Sequence, residues 1–176
     1  MNNKRFNSDE KVVEELISNA EKAAKFSEID TSAIHNERFP KLLLHKNKIV
    51  GKKEIDGLVV DAKETKNGIK ARVIVNKKIE LPIYLCFGVL EKSYDQRINI
   101  ELIAEENSEA KIYAFCTFPN AENVSHLMKA KYLLKKNSKI DYHEFHYHGK
   151  NGAFVFPEIF VSCKENSIYN TSITSN

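Results

Sequence analysis

The chain has 176 residues, of which 42% are apolar, 29% charged and 10% aromatic. This composition excludes a disordered, collagenous or coiled-coil chain, and the length suits one domain with a real core. The formal charge of +3 is spread along the sequence and gives no basis for a nucleic-acid partner.

The first predicted element is a helix. Ser8 and Asp9 can cap it, and Val12, Val13, Leu16, Ile17, Ala20, Ala23 and Ala24 recur at helical spacing up to about Phe26. The stripe is narrow and Ala-rich, so the helix is expected to lie against something larger. A connector follows and ends at Pro40. From there the period changes to two. Lys46-Asn47 offers a turn, and Asn67-Gly68 stands between alternating segments, a strong hairpin signal. Further alternating sets are Ile98/Ile100/Leu102, Ile112/Ala114/Cys116, Met128/Ala130/Tyr132/Leu134 and Ile159/Val161/Cys163. No helical pattern recurs after residue 40.

A repeat runs through this second part. Glu106-Asn107-Ser108, Lys136-Asn137-Ser138 and Glu165-Asn166-Ser167 each precede an alternating segment, at spacings of 30 and 29 residues, with Lys66-Asn67-Gly68 as a weaker fourth member. Asn and Ser suit turns that need a left-handed residue or a side-chain hydrogen bond to the backbone. A turn-then-strand unit at near-constant spacing predicts a β-solenoid rather than a sandwich with Asn-rich hairpins. The expected organisation is a helix and connector over 1–39 and a mainly β solenoid over 40–176. The asparagines should then stack at one corner.

The cysteines Cys86, Cys116 and Cys163 are odd in number and far apart, and no CxxC pair occurs. This excludes a disulfide framework, a zinc ribbon and a thioredoxin-like motif. The N-terminus lacks the apolar segment of a signal peptide. The longest apolar run, Leu81 to Leu90, falls far short of the ~20 residues that span a bilayer. A soluble cytoplasmic protein with no membrane partner is expected. No Walker A, GxGxxG, HExxH or GxSxG pattern is present.

The densest chemistry lies in Tyr142-His143-Glu144-Phe145-His146-Tyr147-His148. On a strand, Glu144, His146 and His148 share one face, where they could bind a transition metal or simply form a polar face. Cys116, with His126 ten residues on, offers a soft thiolate and an imidazole, or a small buried hydrophobe. Cys163 reads more firmly as a core thiol, and Cys86 as a thiol packed beside a turn. The spacing of 30 residues from Cys116 to His146 is one repeat. The two should therefore sit side by side on adjacent coils. The His-x-His pair also invites comparison with a cupin, but no carboxylate follows at the required distance.

At these residues the chain resembles the SufB/SufD family of iron–sulfur cluster assembly proteins. The resemblance is carried by Leu85-Cys86-Phe87-Gly88-Val89-Leu90, Gln96-Arg97-Ile98, Cys116-Thr117-Phe118-Pro119-Asn120-Ala121, His126-Leu127-Met128-Lys129-Ala130 and the Tyr142–Gly149 run. It covers roughly 81–170, and the Asn-Ser turns fall where that family places its own recurrent turns. It implies a right-handed parallel β-helix and a non-enzymatic scaffold that builds a nascent iron–sulfur cluster beside a SufC-like ABC ATPase. It also implies pairing with a SufB/SufD-like homologue, or a homodimer. Against that pattern, the chain reads as a short form. The candidate residues are Cys116 and Cys86 for the cluster, and Cys116, His126, Glu144, His146 and His148 for metal. The competing expectations are a metal-free solenoid interaction module and, more remotely, a cupin-like metalloenzyme.

Overall fold

The computed structural model describes residues 8–175 apart from Phe26, Glu28 and Asp30. One helix, α1 (Ser8–Ala23), precedes a short 3-10 turn over Thr31–His35 within the connector. The capping side chains of Ser8 and Asp9 lie outside the described residues. Eleven strands follow: β1 (Lys41–His45), β2 (Lys48–Lys53), β3 (Leu58–Thr65), β4 (Gly68–Val75), β5 (Ile83–Gly88), β6 (Ser93–Ala104), β7 (Glu109–Phe118), β8 (Asn123–Leu134), β9 (Lys139–His148), β10 (Phe154–Cys163) and β11 (Ile168–Ser175).

The strands form two sheets, in the orders β11-β9-β7-β5-β1-β2 and β10-β8-β6-β4-β3. From β5 onward the chain alternates between sheets, and every neighbour within a sheet is parallel. This is a flattened parallel β-solenoid. It excludes the antiparallel jelly roll of a cupin. At one end each sheet is finished by an antiparallel hairpin, β1–β2 through Lys46 and β3–β4 through Asn67-Gly68.

Alternation decides what is buried. Inward residues of both sheets, among them Leu42, Leu85, Ile112, Ile98, Met128 and Tyr142, form a continuous core between the sheets. The outer face of the sheet containing β7 is covered too. Ile17, Ala20, Ala23 and Ala24 of the connector and α1 pack on Leu43, Tyr84, Cys86, Phe115 and Phe145. The Ala-rich stripe lets the helix come close. A Cβ at Gly88 would stand 2.2 Å from Leu16 Cδ2, so the glycine is required for this approach. The helix therefore lies on the side of the solenoid.

The three Asn-Ser turns stack as expected. Asn107, Asn137 and Asn166 have φ of 60°, 58° and 55°. Asn137 Nδ2 donates to Asn107 Oδ1 at 3.0 Å, and Asn166 Nδ2 to Asn137 Oδ1 at 3.3 Å. In each turn the serine hydroxyl donates to the carbonyl three residues earlier, at 2.7 Å for Ser108, Ser138 and Ser167 alike. Lys66-Asn67-Gly68 is not a fourth member. It reverses the chain within one sheet, with Gly68 at φ 118°. The corner equivalent to Asn107 lies after β4, where Lys78 bridges to Glu109. Cys163 also departs from expectation. It points into the solenoid beside Leu134 but is exposed, because among the described residues no strand stacks on β10. Phe154, Phe156 and Phe160 of β10 and Ile173 of β11 are exposed as well.

The ladder predicts a graded response at Asn137. Asn137→Ala places a Cβ residue in the left-handed region and removes both amide bonds, a loss of about 2 kcal/mol. Asn137→Gly removes only the bonds and should cost about half as much. Urea unfolding followed by circular dichroism measures both.

Candidate functional site

Two register pairs build the site. Cys116 of β7 is paired with His146 of β9, as the one-repeat spacing requires, and Gln96 of β6 is paired with His126 of β8. All four side chains, with Glu144, project into the lumen between the sheets and are buried. Cys116 Sγ lies 3.8 Å from His126 Nε2 and 3.9 Å from Glu144 Oε1, and Glu144 Oε1 lies 2.5 Å from His146 Nε2. One donor atom each from Cys116, Glu144 and His146 falls within a 4.8 Å span.

Burial of so many polar groups is tolerable only where partners are supplied. Gln96, fully buried, provides the clearest case. Its Nε2 donates to Lys46 O at 2.7 Å and Gly88 O at 3.3 Å, which fixes the amide orientation. Its Oε1, 2.6 Å from His126 Nδ1, must then accept that N–H. The Nε2 lone pair of His126 is left facing Cys116. Phe87 stacks on the His126 ring at 6.5 Å between centroids, Phe118 packs on it tilted at 5.3 Å, and together they keep this wall apolar.

The electrostatics follow from this enclosure. Burial, reinforced by His146 and His148, lowers the His126 pKa to about 3, so the ring is neutral at neutral pH. Burial, and next the Glu144 carboxylate, raises the Cys116 pKa well above that of an ordinary thiol. Cys116 is thus a protonated thiol, a poor nucleophile as it stands. It becomes a thiolate when a cation compensates the charge. Sulfur, imidazole nitrogen and carboxylate oxygen together suit a borderline-soft transition metal such as iron or zinc.

The other candidate residues are placed differently. His148 continues the inward face of β9 at the rim, half-buried. Its ring is 5.7 Å from that of His146, and its Nε2 is buried without a hydrogen-bond partner. Cys86 does not join the cluster. It is on the opposite face of β5, under α1, where burial raises its pKa to about 12. Gln96 is the residue that sequence reasoning leaves out of the site, although it stands one repeat before His126.

Comparison with known proteins follows the same lines. An iron–sulfur cluster assembly SufBD family protein of Methanocaldococcus jannaschii is 33% identical over 166 residues, which cover 93% of this chain and 52% of that protein. A SufBD family protein of Pyrococcus horikoshii is 29% identical over 143 residues, 80% of this chain and 43% of that one. One from Archaeoglobus fulgidus is 32% identical over 83 residues, 47% and 22% respectively. The chain spans about half the length of the first of these relatives, and less of the others. No family model and no solved structure matches. Among the described residues no helix is long and apolar enough to cross a membrane.

Thiol labelling reports the burial directly. Iodoacetamide on the native protein should alkylate Cys163 alone, while Cys86 and Cys116 react only after denaturation; peptide mass spectrometry reads the three sites separately.

Proposed function

The chain is a homologue of the iron–sulfur cluster assembly SufBD family proteins, and on that premise we propose that it serves iron–sulfur cluster assembly as a scaffold component rather than an enzyme. One observation carries the reading. A thiol, two imidazoles and a carboxylate, with the Gln96 amide behind them, converge in a lumen whose core is built of hydrophobic side chains. A solenoid needs no such group for stability, since replacing a buried polar cluster by packed apolar residues is commonly neutral or stabilising. The donor set suits iron.

In this reading Cys116 is the thiolate ligand of the iron cargo, with His126, Glu144 and His146 around it and His148 at the rim. The cluster itself is product, built at the site and passed on. In the same reading ATP hydrolysis belongs to a partner, a SufC-like ABC ATPase. A second SufB/SufD-like chain, or a second copy of this one, would complete the assembly. The cytoplasm is the proposed compartment, where thiols stay reduced.

The metal-free interaction module is the second reading. The observation favouring it is the exposed aromatic strip of Phe154, Phe156 and Phe160 on the outer face of β10, with Phe154 and Phe156 stacked 6.3 Å apart.

Anaerobic reconstitution with iron and sulfide, read by visible absorbance, separates the two. The wild type and Cys163→Ser should develop cluster absorbance, and Cys116→Ser should not. Equal absorbance in all three would remove the site assignment. No absorbance in the wild type, even with the ATPase and a SufB/SufD-like partner added, would leave the interaction module.

A further inference from the structure

We propose that Cys116, Glu144 and His146, joined by His126 across the lumen, form a site for a single divalent transition-metal ion, with Gln96 as the residue that positions His126 for ligation. The identity of the ion as ferrous iron rests on the cluster-assembly reading; the site itself does not.

The size of the site argues for one ion. A tetrahedral centre with metal–sulfur bonds of about 2.3 Å and metal–nitrogen or metal–oxygen bonds of about 2.0–2.2 Å holds its ligand atoms about 3.6 Å apart. Cys116 Sγ stands 3.8 Å from His126 Nε2 and 3.9 Å from Glu144 Oε1. These two edges match within a few tenths of an ångström, while the Glu144–His146 edge, at 2.5 Å, is shorter than a metal centre allows. A cluster distributes its protein ligands over several irons with sulfide between them. The Cys116, Glu144 and His146 donors, gathered within 4.8 Å, can meet on one centre, the first ion from which a cluster would be built at the site.

The orientation of His126 is set in advance. A ligating histidine ordinarily donates its second ring N–H to an outer partner, which fixes tautomer and ring angle. Gln96 does this for His126. Its own amide is held by two main-chain carbonyls, so its oxygen cannot turn away. The acceptors Lys46 O and Gly88 O belong to the β1–β2 turn and the end of β5, so the main chain at the hairpin end sets the angle of the ring. The close pair of Glu144 and His146 is what the ion must open. On binding, the ion takes the place of the thiol proton of Cys116, which leaves to solvent, and of the proton held between Glu144 Oε1 and His146 Nε2, which moves to His146 Nδ1 or to solvent; no electron is transferred. His148 continues the same face towards the end of β9, with its ring 5.7 Å from that of His146 and its Nε2 buried without a partner.

Cobalt(II), added anaerobically to the full chain without sulfide, tests this. The expected result is one cobalt per chain, with the visible bands of four-coordinate cobalt and a thiolate-to-cobalt charge-transfer band. Cys116→Ser should lose the charge-transfer band, and Cys86→Ser and Cys163→Ser should keep it. Gln96→Leu should weaken cobalt affinity about tenfold or more, the usual effect of losing an outer partner. Gln96→Glu, which still accepts the His126 N–H, should retain more affinity than Gln96→Leu. Circular dichroism confirms the fold of each variant, and should Gln96→Leu fail to fold, the wild-type spectrum and the Cys116→Ser pair decide. Six-coordinate bands, absence of charge transfer in the wild type, or a charge-transfer band that survives Cys116→Ser would overturn the site. Gln96→Leu binding as tightly as wild type would overturn the role of Gln96. Failure of cluster formation with sulfide, alongside intact cobalt binding, would count against the cluster-assembly reading alone.

Discussion

Everything in this protein depends on one constraint, the in-register stacking of parallel strands about 4.8 Å apart. A residue and its counterpart one repeat later become neighbours. Where the pair is apolar the core extends by one layer, as from Ile98 to Met128. Where it is charged, ion pairs climb the surface, as from Glu105 to Lys135 at 2.6 Å and from Glu122 to Lys92 at 2.6 Å. Exposed pairs of this kind add little stability each, but they make a slipped register unfavourable by setting like charges side by side.

The same rule builds the polar site. Gln96 and His126 form one rung, and Cys116 and His146 another. They face each other across the lumen because they lie on opposite sheets. A strand gives its residues fixed directions and little freedom, so the donors are held more firmly than on a loop. Glu144 reaches the same point from two residues away on β9, since alternation returns it to the same face. The geometry of the candidate centre is therefore a by-product of the repeat, with five polar residues substituted at lumen positions.

What the sequence disclosed follows this logic. The Asn-Ser turns were readable as a stacked corner because a left-handed residue is needed at each one and Asn supplies it without glycine. The pairing of Cys116 with His146 followed from the period alone. Asn67-Gly68 misleads, since the same residue type serves a two-residue hairpin as well as a solenoid corner. Periodicity put Cys163 on an inward face correctly. It could not report burial, which depends on the coil above rather than on the strand itself. Cys86 and Cys116 look equivalent as thiols in a sequence, yet the register pairs Cys116 with the inward Phe87 and Cys86 with the outward Phe115, which puts them on opposite sides of a sheet. Gln96 was invisible as a functional residue because an amide carries no chemistry of its own. Its part appears only when its partners, two carbonyls and an imidazole, are in place.

The two antiparallel hairpins give the molecule a polarity along its axis. A solenoid coil is modular, and duplication or loss of a coil leaves its neighbours' contacts intact. That freedom stops at β1–β2 and β3–β4, whose return strands run against the others and close both sheets there. β2 bears Lys48, Lys52 and Lys53 along its length, so a foreign strand arriving at that edge meets positive charge rather than a bare template. In evolutionary terms the hairpin end is a fixed origin. Variation in coil number is open only to the part of the chain beyond it, and the donors of the lumen sit within a few coils of that origin.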